Sequence, residues 1–343
     1  MKLIKPYFEF IEQETRGSIV SLQLGMYRQI ERIGRVCYKS EDKIDADSHI
    51  KFVEKLIKSN HGAMLEHGTV YLNINQEECD EDRIDEYQKN PYTEVYYHDD
   101  IFPHIYSITT NYRVLLENSW LDDLQYFCEP TKYHEKRICV KFVCDRGVSH
   151  ELVRHRVFSF AQESTRYCNY SKDKFNKEIT FIIPKWLNNP MLEDKSLGMK
   201  NFDFDRHINS AGTEGWWLKS LNQCEEIYFA LLSEGWQPQQ ARAVLPNSLK
   251  TEVVMTGFVS DWQGKVVVYN QLKDGYDKII DYPWSEEFES HTKKNYGSSN
   301  EHHIVVSGFF PLRTALTAHP QMQELAVPLY KEFQKHNLLK DVW

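Results

Sequence analysis

Four short apolar-rich runs, set far apart in the chain, constrain the fold most. Val70, Leu72 and Ile74 alternate with Thr69, Tyr71 and Asn73. Ile138, Val140, Phe142 and Cys144 form a second run, Ile179–Ile183 a third ended by Pro184, and Val253, Met255, Gly257 and Val259 a fourth. A period of two predicts strands. Between them runs a helical period. Ile19, Leu22, Met26, Ile30 and Ile33 share one helix face, and a helix after Ser48 turns Ile50, Val53 and Ile57 inward until His61-Gly62. Trp217, Leu221, Cys224, Ile227, Tyr228 and Leu231 mark the clearest helix, ending at Gly235. Pro238 opens a helix that carries Arg242, and Met322, Leu325, Leu329 and Phe333 share a face of the last helix, with a kink expected at Pro328.

Two stretches break these periods. Residues 77–86, EECDEDRIDE, hold seven acids and one base and read as a solvated loop. The chain beyond them, to about residue 137, is weakly periodic apart from an apolar patch at 114–124. Residues 265–308 are polar and turn-rich. The expectation is one domain over 1–343 with insertions at about 76–137 and 265–308.

Bulk properties exclude some functions. The chain is 41% hydrophobic and 13% aromatic, enough for a sizeable core. Its net charge of −9 argues against non-specific nucleic-acid binding. No segment has the apolar length of a membrane span, and the start MKLIKPYFEFIEQE does not read as a signal peptide. Seven scattered cysteines without a CxxC pair suggest reduced thiols in the cytoplasm, and no membrane partner is expected.

Against that acidic background stands RHRVFSFAQESTRY, Arg154 to Tyr167. HELVRH at 150–155 is not a zinc site, because the second histidine falls at i+5 and Arg154 occupies i+4. No serine sits in a GxSxG elbow. Arginine offers a planar fork of donors that suits phosphate. Arg154 and Arg156 leave a helix C-terminal end, and Ser164, Thr165 and Arg166 add hydroxyls, backbone N–H groups and a further guanidinium. On charge alone, a small anionic ligand and a solvated basic helix end are evenly matched.

The pattern RHR, seven residues, Ser, continued as STRY, resembles the signature of the flavin-dependent thymidylate synthases. AMLEHGTVYLNI, RVCYKSED at 35–42, QARAVLP at 240–246 and FFPLRTALTAHPQMQELA at 309–326 resemble further blocks of that family, in order. The resemblance implies an α+β fold, helices packed on a small, mainly antiparallel sheet. It implies an enzyme that makes dTMP from dUMP, with methylenetetrahydrofolate as carbon donor and FAD reduced by NADPH. By the same resemblance, Arg154, His155, Arg156, Gln162, His67, Thr69 and His319 would contact flavin. Glu151, Ser164, Thr165, Arg166 and Arg242 would contact dUMP. Arg313 would lie beside the uracil ring, where a fixed cation can stabilise charge developing at N3 and O4. Cys37 would stand where a flavin-contacting Ser is found. Gln162 stands where many members carry Glu, and Glu151 where many carry Gln. Phe258 and Gly264 fall where flavin-binding asparagines are frequent. The family's homotetramers share their sites between subunits. The alternative is a protein of the same fold that holds flavin or nucleotide without turnover. A nucleic-acid-binding module is a third reading, opposed by the net charge.

Overall fold

The computed structural model describes residues 1–78, 80–99, 104–187, 212–272, 275–297 and 301–341. Among them the fold is α+β, with small sheets that are mainly antiparallel. In chain order the strands are β1 (Lys2–Ile4), β2 (Tyr7–Phe10), β3 (Thr69–Asn75), β4 (Glu94–His98), β5 (Ile105–Asn111) and β6 (Arg137–Asp145). Then follow β7 (Ser159–Gln162), β8 (Thr180–Ile182), β9 (Lys250–Phe258), β10 (Lys265–Leu272), β11 (Gly275–Pro283) and β12 (His302–Ser307). The first helices are α1 (Ile19–Val36), α2 (Ser48–Lys58), α3 (Glu81–Lys89), α4 (Tyr112–Glu117) and α5 (Arg146–Leu152). The later ones are α6 (Thr213–Ser233), α7 (Pro238–Ala241), α8 (Val259–Gln263), α9 (Glu286–Tyr296), α10 (Phe309–Thr314) and α11 (Pro320–Lys335).

The central sheet has the order β2-β6-β9-β7 and is antiparallel throughout. Phe142 faces Val253 and Phe8 across the ladder. One side of this sheet packs on Trp262, Phe309, Phe310 and the α11 residues Met322, Leu325, Leu329 and Phe333. Burying each of these side chains stabilises the fold by roughly 1.5–3 kcal/mol. The periodicity of the last helix therefore identifies its inner face. Pro328 does not end the helix, which continues to Lys335.

Ser18 caps α1 by accepting from the Ser21 N–H, and Leu22, Met26, Ile30 and Ile33 are buried. In α2 the inward residues are His49, Val53 and Leu56, whereas Ile50 is 38% exposed, which corrects the expected face by one position. The acidic run is not a loop throughout. The Asp80 carboxylate caps α3, and Glu81 and Asp82 occupy its first turn, where the helix dipole favours negative charge. Ile84 and Tyr87 of α3 turn into the core, and the Tyr87 hydroxyl donates to Asp123 over 2.8 Å.

The rest of 76–137 adds structure that local periodicity hides. β5 pairs with β3 along its whole length, Asn111 opposite Thr69 and Ile105 opposite Asn75, and β4 lies on the far side of β5. Leu115 and Trp120 join the core of α1 and α2. Residues 265–307 likewise fold into a three-stranded antiparallel sheet, β11-β10-β12, and Val266, Trp284 and Phe288 reach the central core. β10 starts at a tight crossing. Gly264 has φ +77°, and a Cβ there would meet the Ser307 carbonyl oxygen at 2.0 Å. Gly264→Ala is therefore expected to destabilise the fold by about 2 kcal/mol or more, read as a lower urea midpoint with an unchanged slope.

Candidate active site

The segment that carries the RHR motif hangs between two anchored ends. Asp145 caps α5 by accepting from the Val148 N–H over 2.8 Å, and the Gln321 amide donates to its other oxygen over 2.6 Å. α5 stops at Leu152, so Arg154–Arg156 lie in turns just beyond the helix. β7 then pairs with β9 as the edge of the central sheet, Gln162 opposite Val253.

Within the turn the middle residue goes in and its neighbours go out. The His155 ring packs against Phe309 at 5.1 Å and Phe158 at 6.1 Å between centroids. Arg154 and Arg156 are exposed, and neither side chain has a hydrogen bond or ion pair among the described residues. Exposed guanidiniums without a protein partner are free to meet an anion such as phosphate bidentately.

Arg313 closes the inner side. Its Nε donates to His155 Nε2 over 2.8 Å, Nη1 to Glu151 Oε2 over 2.8 Å and Nη2 to the Glu151 carbonyl over 2.9 Å. Of the five N–H donors of a guanidinium, three are used and two remain for a ligand. Burial pulls the Arg313 pKa below its ordinary value, opposed by Glu151, yet arginine stays cationic.

His155 must be neutral, with its proton on Nδ1, to accept from Arg313. Burial, then the Arg313 charge, lowers its pKa to about 4. A histidine whose folded pKa is lowered contributes stability that is fully present above its unfolded pKa, about 6.5, and is lost as pH falls towards the folded value. Acid denaturation is accordingly expected to set in between pH 6.5 and 4. His155→Asn should flatten that part of a plot of unfolding free energy against pH by about 1–2 kcal/mol.

The segment after β7 is also tied down. Gln162 donates its amide to Ser149 Oγ over 2.9 Å and to Thr251 Oγ1 over 3.3 Å. The Ser164 N–H donates to the Cys37 carbonyl over 3.0 Å. Arg242, at the end of α7, donates to Thr165 Oγ1 over 3.0 Å. Arg242 does not pair with Glu252, which is held by Lys250 and Lys39. Arg166 is exposed and lies over the Tyr167 ring at 5.4 Å, and Tyr167 in turn lies 5.1 Å from Tyr38.

The structure thus brings Glu151, His155 and Arg313 into one group, and Thr165 and Arg242 into another. His319 is exposed at the start of α11, its ring 6.0 Å from Trp186. His67 and Thr69 do not join either group. His67 is fully enclosed, its Nδ1 2.8 Å from Thr256 Oγ1, and burial lowers its pKa to about 3. Thr69 lines a cavity of about 410 Å³ with Gln13, Tyr71 and Arg137. The Cys37 thiol is packed against Met64, with its pKa pushed by burial up to about 11, so the residue reaches the site through its carbonyl alone. Phe258 is buried and Gly264 has no room for a side chain, so neither position offers a side-chain donor.

Sequence reasoning missed four residues here. Glu163, Lys250, Glu252 and Lys39 form a mostly buried ion network directly behind Ser164. The one local signal was KTE at 250–252, where a strand puts Lys250 and Glu252 on the same face. Burial alone would raise the Glu252 pKa, but Lys250 and Lys39 outweigh it and hold the carboxyl at about 2.

Residues 136–267 match the family model described as thymidylate synthase complementing protein. The matched region holds the RHR motif and three of the four strands of the central sheet. Flavin-dependent thymidylate synthases are similar to this chain over about a third of its length. The protein of Pyrococcus furiosus is 30% identical over 113 residues, 33% of this chain and 37% of that protein. That of Corynebacterium efficiens is 35% identical over 123 residues, 34% of this chain and 43% of that protein. The chain therefore spans about two fifths of the length of the curated relatives it matches. A solved UMP/dUMP methylase, PolB of Streptomyces cacaoi, aligns over 77% of this chain and 79% of its own at 15% identity, with a TM-score of 0.30.

Proposed function

We propose that this protein is a flavin-dependent thymidylate synthase, which methylates dUMP to dTMP with methylenetetrahydrofolate as carbon donor. The observation that carries the reading is Arg313, fixed by Glu151 and a neutral His155 with two donors left over, beside a turn that presents two unpaired arginines. The named relatives support the same chemistry.

The turn side fits FAD. Arg154 and Arg156 offer charge to a pyrophosphate at no cost in broken ion pairs among the described residues. The side near Phe258 and Gly264 fits less well, because no side chain there can donate. FAD reduced by NADPH would supply the hydride that converts the transferred one-carbon unit into a methyl group. The chain's own part is electrostatic and positional. Arg313 would stabilise negative charge that develops at N3 and O4 of the uracil ring when C5 attacks the carbon donor. Glu151 and His155 hold that guanidinium in one orientation, so no reorganisation is required during the reaction. Thr165, Arg166 and Arg242 would take the nucleotide, with Arg242 already turned towards Thr165.

The homotetramer expected from the family fits the exposed Trp186 and Trp216 near the open site and on α6, at 61% and 69% exposure. A cytoplasmic setting fits the six described cysteines, which are all free thiols. No described helix is long and apolar enough to cross a membrane. The substrate assignment is tested by calorimetric titration of the FAD-loaded protein with dUMP. Arg242→Ala is expected to weaken dUMP about tenfold, the loss of one charge-assisted hydrogen bond. Equal affinity in the two proteins would remove Arg242 from the nucleotide site.

A further inference from the structure

Two carboxylates are forced together behind the Ser164–Arg166 segment. The Glu163 N–H donates to the Glu252 carbonyl over 2.9 Å, which aligns the two residues where β7 has ended and β9 begins. Both are buried, at 3% and 7% exposure. Buried like charges repel unless cations answer them. Lys250 Nζ bridges the pair, 2.9 Å from Glu163 Oε2 and 2.5 Å from Glu252 Oε1. Lys39 Nζ reaches the same Glu252 oxygen over 2.5 Å. Lys39 Nζ also lies 3.2 Å from the more exposed Glu41, so the two buried acids share two lysines with a third acid at the rim.

The network joins three separate parts of the chain. Lys39 sits in the turn after α1 with φ +48°, a left-handed conformation uncommon for a residue with a side chain. Its carbonyl accepts from Lys174 Nζ over 2.6 Å. Two residues earlier, the Cys37 carbonyl takes the Ser164 N–H. The turn after α1, the start of β9 and the segment at 163–166 are therefore locked in register by charge and by main-chain bonds.

A buried ion network adds little to stability compared with apolar packing of the same volume, so its value lies in fixing one arrangement. The residue fixed here, Glu163, leads directly into the Ser164–Arg166 segment. We propose that Lys250 is a positioning residue: by bridging Glu163 and Glu252 it holds Ser164, Thr165 and Arg166 in the geometry that receives the nucleotide. The positioning stands on the contacts alone; that a nucleotide is received rests on the function proposed above.

Hydrogen exchange of the whole chain, read by mass spectrometry on peptides covering 163–168, separates the two. In Lys250→Met these amides are expected to exchange about tenfold faster, while those of β6 keep wild-type protection. Lys250→Arg, which keeps the charge, should restore protection to within about twofold of wild type. Calorimetry should show dUMP bound about tenfold more weakly by the methionine variant and normally by the arginine variant. Unchanged exchange at 163–168 in a folded Lys250→Met overturns the inference, and so does an arginine variant as loose as the methionine one. Should Lys250→Met fail to fold, the double change Glu163→Leu with Lys250→Met removes the uncompensated carboxylate. The same loosening is expected there, and wild-type protection in that protein overturns the inference. A loosened segment in a protein whose wild type binds no dUMP leaves the positioning intact and sinks the nucleotide reading.

Discussion

Arg313→Ala is expected to lower dTMP formation by a factor of about a thousand or more, the scale seen when a preorganised donor to developing charge is removed. Neither the two turn arginines nor Arg242 is placed to substitute for it. Arg154 and Arg156 are held outward by the packing of His155, and Arg242 is committed to Thr165. Fold and flavin should survive the change, because the Glu151 left behind is part-exposed and can be hydrated. The checks are single-turnover dTMP yield, an FAD titration and a urea midpoint on the same preparation. Normal turnover would remove Arg313 from the reaction. A large fall in the midpoint would make it a structural residue instead.

The second large effect concerns the flavin. The double variant Arg154→Ala, Arg156→Ala is expected to bind FAD about a hundredfold more weakly, since each guanidinium offers charge-assisted hydrogen bonds of roughly 1.5–3 kcal/mol. Neither side chain has a described partner, so the folded state loses nothing that would confuse the result. Fluorescence titration with FAD measures it. Wild-type affinity would place the flavin elsewhere and return these residues to the solvated basic turn that their charge alone allows.

The parts of the fold legible in the sequence are those whose physics is local. α11 buries the residues that the spacing picks out, and α1 buries Leu22, Met26, Ile30 and Ile33 of its expected stripe, whereas Ile19, in its first turn, is exposed. β6 and β9 alternate visibly and are the paired centre of the main sheet. α3 was hidden because the acids that suit its first turn also look like a solvated loop. β5 was hidden because ITTN is buried along its length, so it lacks the contrast between faces that marks a half-exposed strand. The site divides the same way. Arg154, His155, Arg156 and Ser164 are adjacent in sequence and could be read as a motif. The partners that orient them are not adjacent: Arg313 meets Glu151 across 162 positions, and Lys250 meets Glu163 across 87. No spacing rule reaches that far. His67 is reached in the same way, its enclosed ring meeting Thr256 across 189 positions.

The most direct test of the central claim is anaerobic incubation of the purified protein with dUMP, methylenetetrahydrofolate, NADPH and FAD, with nucleotides read by mass spectrometry. The account predicts dTMP in the complete mixture and none when FAD is left out. Bound flavin with dUMP unchanged in the complete mixture would contradict it, and would leave a protein that keeps this fold for binding alone.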